Sequence, residues 1–403
     1  MKQVKPDVES FARIRVIGVG GSGNNAINHM IASKIKGVEF VAVNTDAQDL
    51  HHSQAKKKIH IGKNLTKGLG AGMDPELGKR AAEETKEEIQ EVTKGSDMVF
   101  ITCGFGGGTG SGASSVIAKT ARELGALTVA IVTKPFSFEG QHRMEIAEKG
   151  LEELKKEVDA LVIIPNDRLL AIVDKDTSVK NAFGMSDDIL LQAVEGISDL
   201  ITTPGIINVD FADIRAVMEN AGSALMGIGI AGGEKRAEEA ARMAISSPLL
   251  EVSINGAKGV LFAVAGGDDL GMLEIQEAAR VITESIDPHA KVIFGTIRDD
   301  SVKKNEIKVT VIATGFPDSI LHKSPPLFQA GAMKSTDDIK VKDMDEDKAR
   351  GKIFNAIKKD SEVKKDTSAP QTPNTPDEEN DKKDDDDDDW GVVPAFLRRS
   401  KIK

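Results

Sequence analysis

Two glycine-rich segments in this 403-residue chain have the composition of loops that hold phosphate groups. The first spans residues 18–23 and places Gly18, Gly20 and Gly23 in the pattern G-x-G-x-x-G, between a predicted strand and a predicted helix. Glycine lets backbone N–H groups approach a phosphate closely, and the N-terminus of the following helix adds positive potential. A tight turn that only packs the strand against the helix is the alternative explanation for this segment.

The second segment is richer in glycine, with six glycines in the nine residues 104–112. Ordering so many glycines costs considerable chain entropy, and a simple turn does not need them. They suit a nest of N–H donors around a polyphosphate, to which Thr109 and Ser111 could add hydroxyl donors. Because ligands bind at the carboxyl ends of parallel strands, the two segments together predict one long anionic ligand.

Three classes of nucleotide-binding protein are alternatives for this pattern. The chain contains no G-x-x-x-x-G-K-[ST] motif, which excludes a P-loop NTPase. An NAD-binding oxidoreductase would use Asp46, at the end of the second predicted strand, to hold a ribose. That hypothesis leaves the second glycine segment without a purpose, and no hydride-transfer site with His or Lys is evident. A nucleotide-binding structural protein that does not hydrolyse its ligand is the third alternative.

The elements that must position these loops alternate between strand and helix. Continuous apolar strands that alternate with helices predict a parallel, doubly wound (Rossmann-like) α/β sheet. The predicted strands are 14–19, 38–43, 98–102, 127–133 and 160–164, and the helices between them include 24–33 and 75–92.

A long helix and a second α/β block follow this sheet. The helix is predicted at 187–201 and ends at a Thr-Thr-Pro-Gly stop. The second block is long enough to form a smaller domain of its own, although its strand order is not predicted. Its predicted strands are 224–231, 259–265, 292–297 and 307–314, and its helices are 211–220, 234–245 and 272–286.

The two ends of the chain differ in composition from the rest. Residues 1–12 are mostly polar and are predicted to be flexible. Residues 317–388 are a predicted disordered acidic linker, because such a stretch cannot bury enough apolar surface to offset its chain entropy. Residues 389–403 combine apolar side chains with a basic end, and such a tip on a flexible tether is typical of a recognition peptide.

Composition excludes several other classes of protein. The net charge is −11, so a basic face for nucleic acid is not expected. Cys103 is the single cysteine, which excludes a disulfide framework within the chain and fits a reducing compartment. No apolar run approaches the roughly 18 residues of a transmembrane helix. The N-terminus lacks the apolar core of a signal peptide, so we expect a cytoplasmic protein.

Four short motifs occur in the order and spacing of one known family. They are residues 44–48, 106–112, 165–167 and 208–213, of which 106–112 resembles the signature loop of tubulins. From about residue 14 to residue 316, and again in the tail peptide, the chain resembles the FtsZ family, the tubulin-like GTPases of bacterial cell division.

The resemblance implies a tubulin/FtsZ-like fold with a GTP-binding domain at 13–186, a central helix at 187–203 and a C-terminal domain at 204–316. It implies GTP and GDP as ligands, with Mg²⁺ carried mainly by the GTP phosphates. Copies of the chain would assemble head to tail into filaments of the division ring beneath the inner membrane. Membrane-tethering adaptor proteins and division regulators would bind residues 389–403.

The nucleotide contacts that the resemblance implies fall on both glycine segments and on later parts of the chain. Gly108, Thr109 and Gly110 would hold the β- and γ-phosphates, and Phe183 would pack on the base. The full set of implied contacts is Gly20, Gly21, Ser22, Gly23, Asn25, Asn44, Ala71, Gly106, Gly107, Gly108, Thr109, Gly110, Glu139, Arg143, Asn166, Phe183 and Asp187.

Asp187 would read the guanine base. A carboxylate can accept two hydrogen bonds from guanine N1 and N2, and adenine offers no such pair of donors. The alternative explanation is that Asp187 is the N-cap of the long predicted helix.

The implied catalytic loop contains Asn208, Asp210 and Asp213. In the family this loop projects from one subunit onto the γ-phosphate that its neighbour holds, where Asp210 and Asp213 would polarise the attacking water and help to organise the cation. The sequence alone also allows Asp210 to be the N-cap of helix 211–220, with Asp213 in the first turn. Both descriptions can hold together, since a cap can face outward.

Three places depart from the family pattern, and one of them is Trp390 in the tail peptide, where a tryptophan is unusual. Ser22 stands where another glycine is usual, which makes the first segment less pliable but adds a hydroxyl group. Met73 and Asp74 replace a small residue and Asn in a loop that lies near the γ-phosphate in the family, so nucleotide turnover could differ.

Overall fold

One continuous sheet of ten strands runs through the part of the chain that the structure describes. The structure, a computed structural model, describes residues 12–316 apart from 171–176, 204, 248–249, 251–252, 268 and 300–301; the predicted linker and recognition peptide lie outside the described residues. The strands are β1 (Ile14–Val19), β2 (Val38–Asn44), β3 (Lys57–His60), β4 (Met98–Gly104), β5 (Leu127–Lys134), β6 (Ala160–Pro165), β7 (Gly222–Gly232), β8 (Gly259–Gly266), β9 (Lys291–Arg298) and β10 (Glu306–Thr314).

The strand order is β3-β2-β1-β4-β5-β6-β7-β10-β8-β9. Neighbours from β3 to β7 run parallel, whereas β10 runs antiparallel to both β7 and β8. The chain therefore winds outward from β1 in both directions, as a doubly wound fold requires. The predicted α/β fold class is confirmed, and the second block joins the same sheet through a short pairing of β6 with β7.

Strand β3 is absent from the sequence predictions. Lys57 and Lys58 are exposed and only Ile59 is buried, so this edge strand carries no apolar run that could reveal it. The helices are α1 (Gly20–Ala32), α2 (Ala47–His52), α3 (Lys63–Thr66), α4 (Pro75–Glu84), α5 (Lys86–Thr93), α6 (Gly108–Glu123), α7 (Gln141–Glu157), α8 (Asn166–Leu169), α9 (Val179–Thr202), α10 (Phe211–Met218), α11 (Arg236–Ile245) and α12 (Met272–Thr283).

Both faces of the parallel sheet are covered by helices. Along β1, Ile14 and Val16 belong to the core beneath α1 and α9, while Ile17 and Val19 belong to the core beneath α6 and α7. Burial on both faces explains why these strands are apolar throughout. A third cluster packs α11 and α12 against β7, β8 and β10.

Helix α9 connects the two halves of the sheet. It is 24 residues long and begins at Val179 rather than at 187, because the Ser178 side chain accepts a hydrogen bond from the Asn181 N–H at 3.2 Å. Near its C-terminal end, Glu195 forms an ion pair of 3.2 Å with Lys308 of β10. At 1.5 Å per residue the helix spans about 36 Å, and it therefore fixes the distance between whatever lies at its two ends.

Candidate functional site

A cleft of about 480 Å³ lies at the carboxyl ends of β1, β4, β5 and β6. The glycine segments meet there, since a Cβ atom added to Gly20 would lie 3.3 Å from the N atom of Gly110. Most of the predicted nucleotide contacts line the cleft: Gly20, Gly21, Ser22, Asn25, Gly107, Gly108, Thr109, Gly110, Glu139, Arg143, Asn166, Phe183 and Asp187.

Four predicted contacts, Gly23, Asn44, Ala71 and Gly106, are not among the residues that line the cleft. Gly23 permits close packing of α1 on β4, because a Cβ there would clash with the Thr102 carbonyl oxygen. Asn44 is buried and donates from Nδ2 to Asp49, and the N–H of Gly106 donates to Ser111 Oγ at 3.0 Å. These three residues shape the loops around the cleft.

Sequence reasoning missed several residues that line the cleft. Thr133 is the next-to-last residue of β5 and Pro135 directly follows the strand, so the rule that ligands bind at the carboxyl ends of strands could have indicated both. The remaining residues are neighbours of predicted contacts along the chain. The lining residues that were not among the predicted contacts are Val19, Gly72, Gly104, Phe105, Thr133, Pro135 and Ser186, of which Val19, Gly104 and Phe105 belong to the two predicted glycine segments.

Two helices begin inside the cleft. Helix α1 starts at Gly20 and α6 starts at Gly108, so each glycine segment provides the first turn of a helix. The first N–H groups of a helix have no partner within the helix, and the helix dipole gives this end a positive potential. The cleft thus presents two sets of donors suited to an anionic ligand.

The loop before α4 covers part of the second set of donors. The N–H of Gly108 donates to the carbonyl oxygen of Gly72 at 2.8 Å, and Asp74 caps α4 by accepting from the N–H groups of Glu76 and Leu77. The Gly108 N–H therefore becomes available to a ligand only when Gly72 moves.

A charged pair lies at one side of the cleft. Arg143 Nη1 contacts Glu139 Oε2 at 2.6 Å, and Glu139 Oε1 accepts from the N–H of Phe136 at 2.9 Å. This second bond fixes the carboxylate, which in turn orients the guanidinium group at the cleft wall.

An aromatic ring and a carboxylate also line the cleft. Phe183 is 41 % exposed, and its ring packs edge-on against Phe136. Asp187 lies inside α9, so its interpretation as an N-cap is wrong. Burial raises the pKa of the Asp187 carboxyl to about 6, opposed by His29 and reinforced by Asp188. Desolvating this acceptor beside an aromatic surface creates a site for a flat ring that carries N–H donors.

The predicted catalytic residues lie outside this cleft. Asp210 is the N-cap of α10 and accepts from the N–H of Asp213 at 3.0 Å, which confirms the capping interpretation. The Asn208 side chain accepts from the N–H of Gly205 at 2.7 Å. Both Asp210 and Asp213 are exposed.

Residues 205–213, which include Asn208, Asp210 and Asp213, are called the acidic loop below. This loop is positioned by its contacts with β9. A Cβ added to Gly295 would meet both Leu200 and the carbonyl oxygen of Ile207, so the loop lies level with Leu200. Leu200 is about 20 Å along α9 from Asp187. The loop and the cleft of one chain therefore do not form one site.

Two further features bear on the site. Among the residues that the structure describes, no group of three or more His, Cys, Asp or Glu is arranged to hold a metal ion. None of the described helices is long and apolar enough to cross a membrane.

Comparison with known proteins gives consistent matches in sequence and structure. Residues 13–174 match the model of the Tubulin/FtsZ family, GTPase domain, and residues 222–317 match that of the FtsZ family, C-terminal domain. An empty FtsZ dimer from M. jannaschii is 49 % identical with a TM-score of 0.73, over 76 % of this chain and 89 % of that one.

A more distant match shares the fold. The GDP-bound CetZ1 monomer from Haloferax volcanii is 24 % identical with a TM-score of 0.67, over 76 % of this chain and 95 % of that one.

The sheet, the long helix and the cleft between two glycine segments define a tubulin-like GTPase, with GTP and GDP as its ligands. The chain belongs to the FtsZ family. The resemblance found in the sequence is thereby confirmed, and the oxidoreductase alternative is not favoured.

The charge state of Asp187 provides a test of the proposed guanine contact. Guanosine affinity of the wild-type protein should be constant between about pH 7 and 8 and fall as the pH drops through about 6, because protonation removes the acceptor. Asp187→Asn should bind guanosine about tenfold more weakly at pH 7.5 and lose this pH dependence. Guanosine is the suitable probe, since a terminal phosphate titrates near pH 6 itself. Unchanged affinity in the variant would contradict the assignment.

Proposed function

We propose that this chain is a self-assembling GTPase whose copies stack head to tail, with GTP hydrolysed where the acidic loop of one copy meets the cleft of the next. Asp187 and the acidic loop, which lies beside Leu200, are about 20 Å apart along α9. This separation is the observation that carries the proposal. A reaction that needs both parts must take them from two copies.

Exposed apolar side chains at both ends support such a contact. Leu69, in the loop bridged to Asp46 beside the cleft, is 86 % exposed, and Ile206 in the acidic loop is 81 % exposed. Fully burying a side chain of this size stabilises a contact by roughly 1.5–3 kcal/mol. Among the relatives, an M. jannaschii FtsZ is described as a dimer and CetZ2 from Haloferax volcanii as a GTPγS-bound protofilament; the latter is only 21 % identical.

Within the cleft, the proposed contacts divide according to the parts of GTP. The first turns of α1 and α6 would donate backbone N–H groups to the phosphates, with Thr109 adding a hydroxyl group. Arg143 would neutralise phosphate charge from the position that Glu139 fixes. Phe183 would stack on the base, and Asp187 would accept from guanine N1 and N2.

The neighbour would complete the site with Asn208, Asp210 and Asp213. An ionised Asp213 can accept a hydrogen bond from the attacking water and orient it toward the γ-phosphate. Asp210 is held in place by its bond to the Asp213 N–H, so the two carboxylates would approach as a fixed pair. Mg²⁺ would be held mainly by the phosphates and would neutralise their charge.

In the cell, we propose that the filaments form the division ring beneath the membrane. Residues 389–403 would bind tethering adaptor proteins, with 317–388 as the tether. This part of the proposal rests on the sequence and on the family.

Replacing Asp213 tests the catalytic assignment. Asp213→Ala should lower GTP turnover by about a factor of 100 and leave GDP affinity within about twofold, because the residue is absent from the cleft of its own chain. Wild-type turnover per molecule should rise above a threshold protein concentration. Glu219→Ala, which removes an exposed acid just beyond the other end of α10, is the matched control. Normal turnover in Asp213→Ala, or a rate strictly proportional to concentration, would refute the proposal.

Removing residues 389–403 tests the role of the tail. The truncated protein should keep wild-type turnover and sedimentable filaments but fail to form rings in dividing cells, because the site and the described elements remain intact. Turnover and sedimentation are measured in vitro, and fluorescent fusions report the rings. Normal rings in truncated cells would contradict this part of the proposal.

A further inference from the structure

Two buried amides lie directly behind the first glycine segment. Asn24 follows that segment in α1 and is 1 % exposed, and Asn44 at the end of β2 is 2 % exposed. Their Nδ2 atoms donate to the same carboxylate oxygen, Asp49 Oδ2, at 3.1 and 2.6 Å. One acceptor therefore joins the first turns of α1 to the end of β2.

The orientation of this cluster is fixed on both sides. Asn44 Oδ1 accepts from the N–H of Asp46 at 3.3 Å, which leaves its Nδ2 to face the carboxylate. Asp49 is itself anchored, since its N–H donates to Asp46 Oδ1 at 3.1 Å. An ionised carboxylate is the acceptor that suits two amide donors, because it has no proton of its own to place between them.

The cluster touches the phosphate end of the cleft through Gly21. A Cβ added to Gly21 would lie 3.7 Å from Asp49 Oδ2, and Gly21 lines the cleft. Asn24 Oδ1 is buried and has no hydrogen-bond partner among the described residues, so within that part of the chain this side chain bonds only to Asp49. Loss of the carboxylate would leave Asn24 free to rotate in the turns that carry the phosphate donors.

We propose that Asp49 is a positioning residue for the phosphate end of the cleft. It fixes the first turns of α1 through Asn24 and ties them to β2 through Asn44, so the N–H donors are preorganised before the nucleotide binds. This inference rests on the proposed nucleotide contacts in the cleft. The negative charge of Asp49 by itself opposes the approach of phosphates. Asp49 therefore favours phosphate binding only by holding the N–H donors in place.

The test compares two ligands that share the base but differ in phosphate. Binding of GDP and guanosine is measured by competition with a fluorescent guanine nucleotide for the wild type, Asp49→Ala, Asp49→Asn and the neighbouring exposed control Gln48→Ala. Asp49→Ala should lose about tenfold in GDP affinity while guanosine affinity stays within about twofold. Asp49→Asn should recover most of the GDP affinity, because its Oδ1 can still accept from the amides.

The outcomes separate the possible failures. An unchanged ratio of GDP to guanosine affinity in Asp49→Ala overturns the positioning role, even if the variant is less stable. GDP binding in Asp49→Asn that is tighter than in the wild type also overturns it, since charge repulsion would then dominate. If the wild type binds neither ligand, the proposed function fails and this inference fails with it.

Discussion

The constraint on which this structure depends is the length of α9. Its residues Ile189, Leu190, Ala193, Val194 and Ile197 are buried in the core shared by both halves of the sheet, so the helix behaves as a rigid spacer. One end presents Phe183 and Asp187 to the cleft, and the other end leads into the acidic loop. Neither end can approach the other without disrupting that core.

Two partly buried carboxyl groups on α9 lower the stability of the folded protein at neutral pH. Burial raises the pKa of Asp187 to about 6, and burial together with Glu195 raises that of Asp199 to about 6, with Lys308 opposing. Each carboxyl is therefore harder to ionise in the folded protein than in the unfolded chain, so its contribution to stability falls as the pH rises from about 4 to 6. In the proposed function this cost at Asp187 is offset, because its carboxylate would accept hydrogen bonds from the guanine N–H donors. Asp199 has no such role in the proposed reaction.

The sequence predicted most of the architecture because the signals were local. Apolar runs identified every strand except β3, whose Lys57 and Lys58 face solvent at the sheet edge. Glycine density located both segments, but the pattern gave no sign that Gly20 and Gly108 already belong to helices. The start of α9 was missed because Ser178 and its cap precede any apolar periodicity.

Parts of the site could not be predicted from the sequence, because they depend on contacts between residues that are far apart in the chain. The acceptor that Asn24 and Asn44 share depends on the pairing of β1 with β2, which the motif does not encode. Thr133 and Pro135 enter the cleft because β5 lies beside β4. The chain order of Asp187 and Asp213 does not give their distance in space, which depends on the length of α9 and on the packing of its inner face in the core.

The most direct test of completion by a neighbour is a mixing experiment. Asp213→Ala subunits keep the cleft, and Asp187→Asn subunits keep the acidic loop. At a GTP concentration that fills mainly intact clefts, an equal mixture should hydrolyse GTP several times faster than the sum of the two variants measured alone. A mixture no faster than that sum would show that each chain completes its own site, and the account would be wrong.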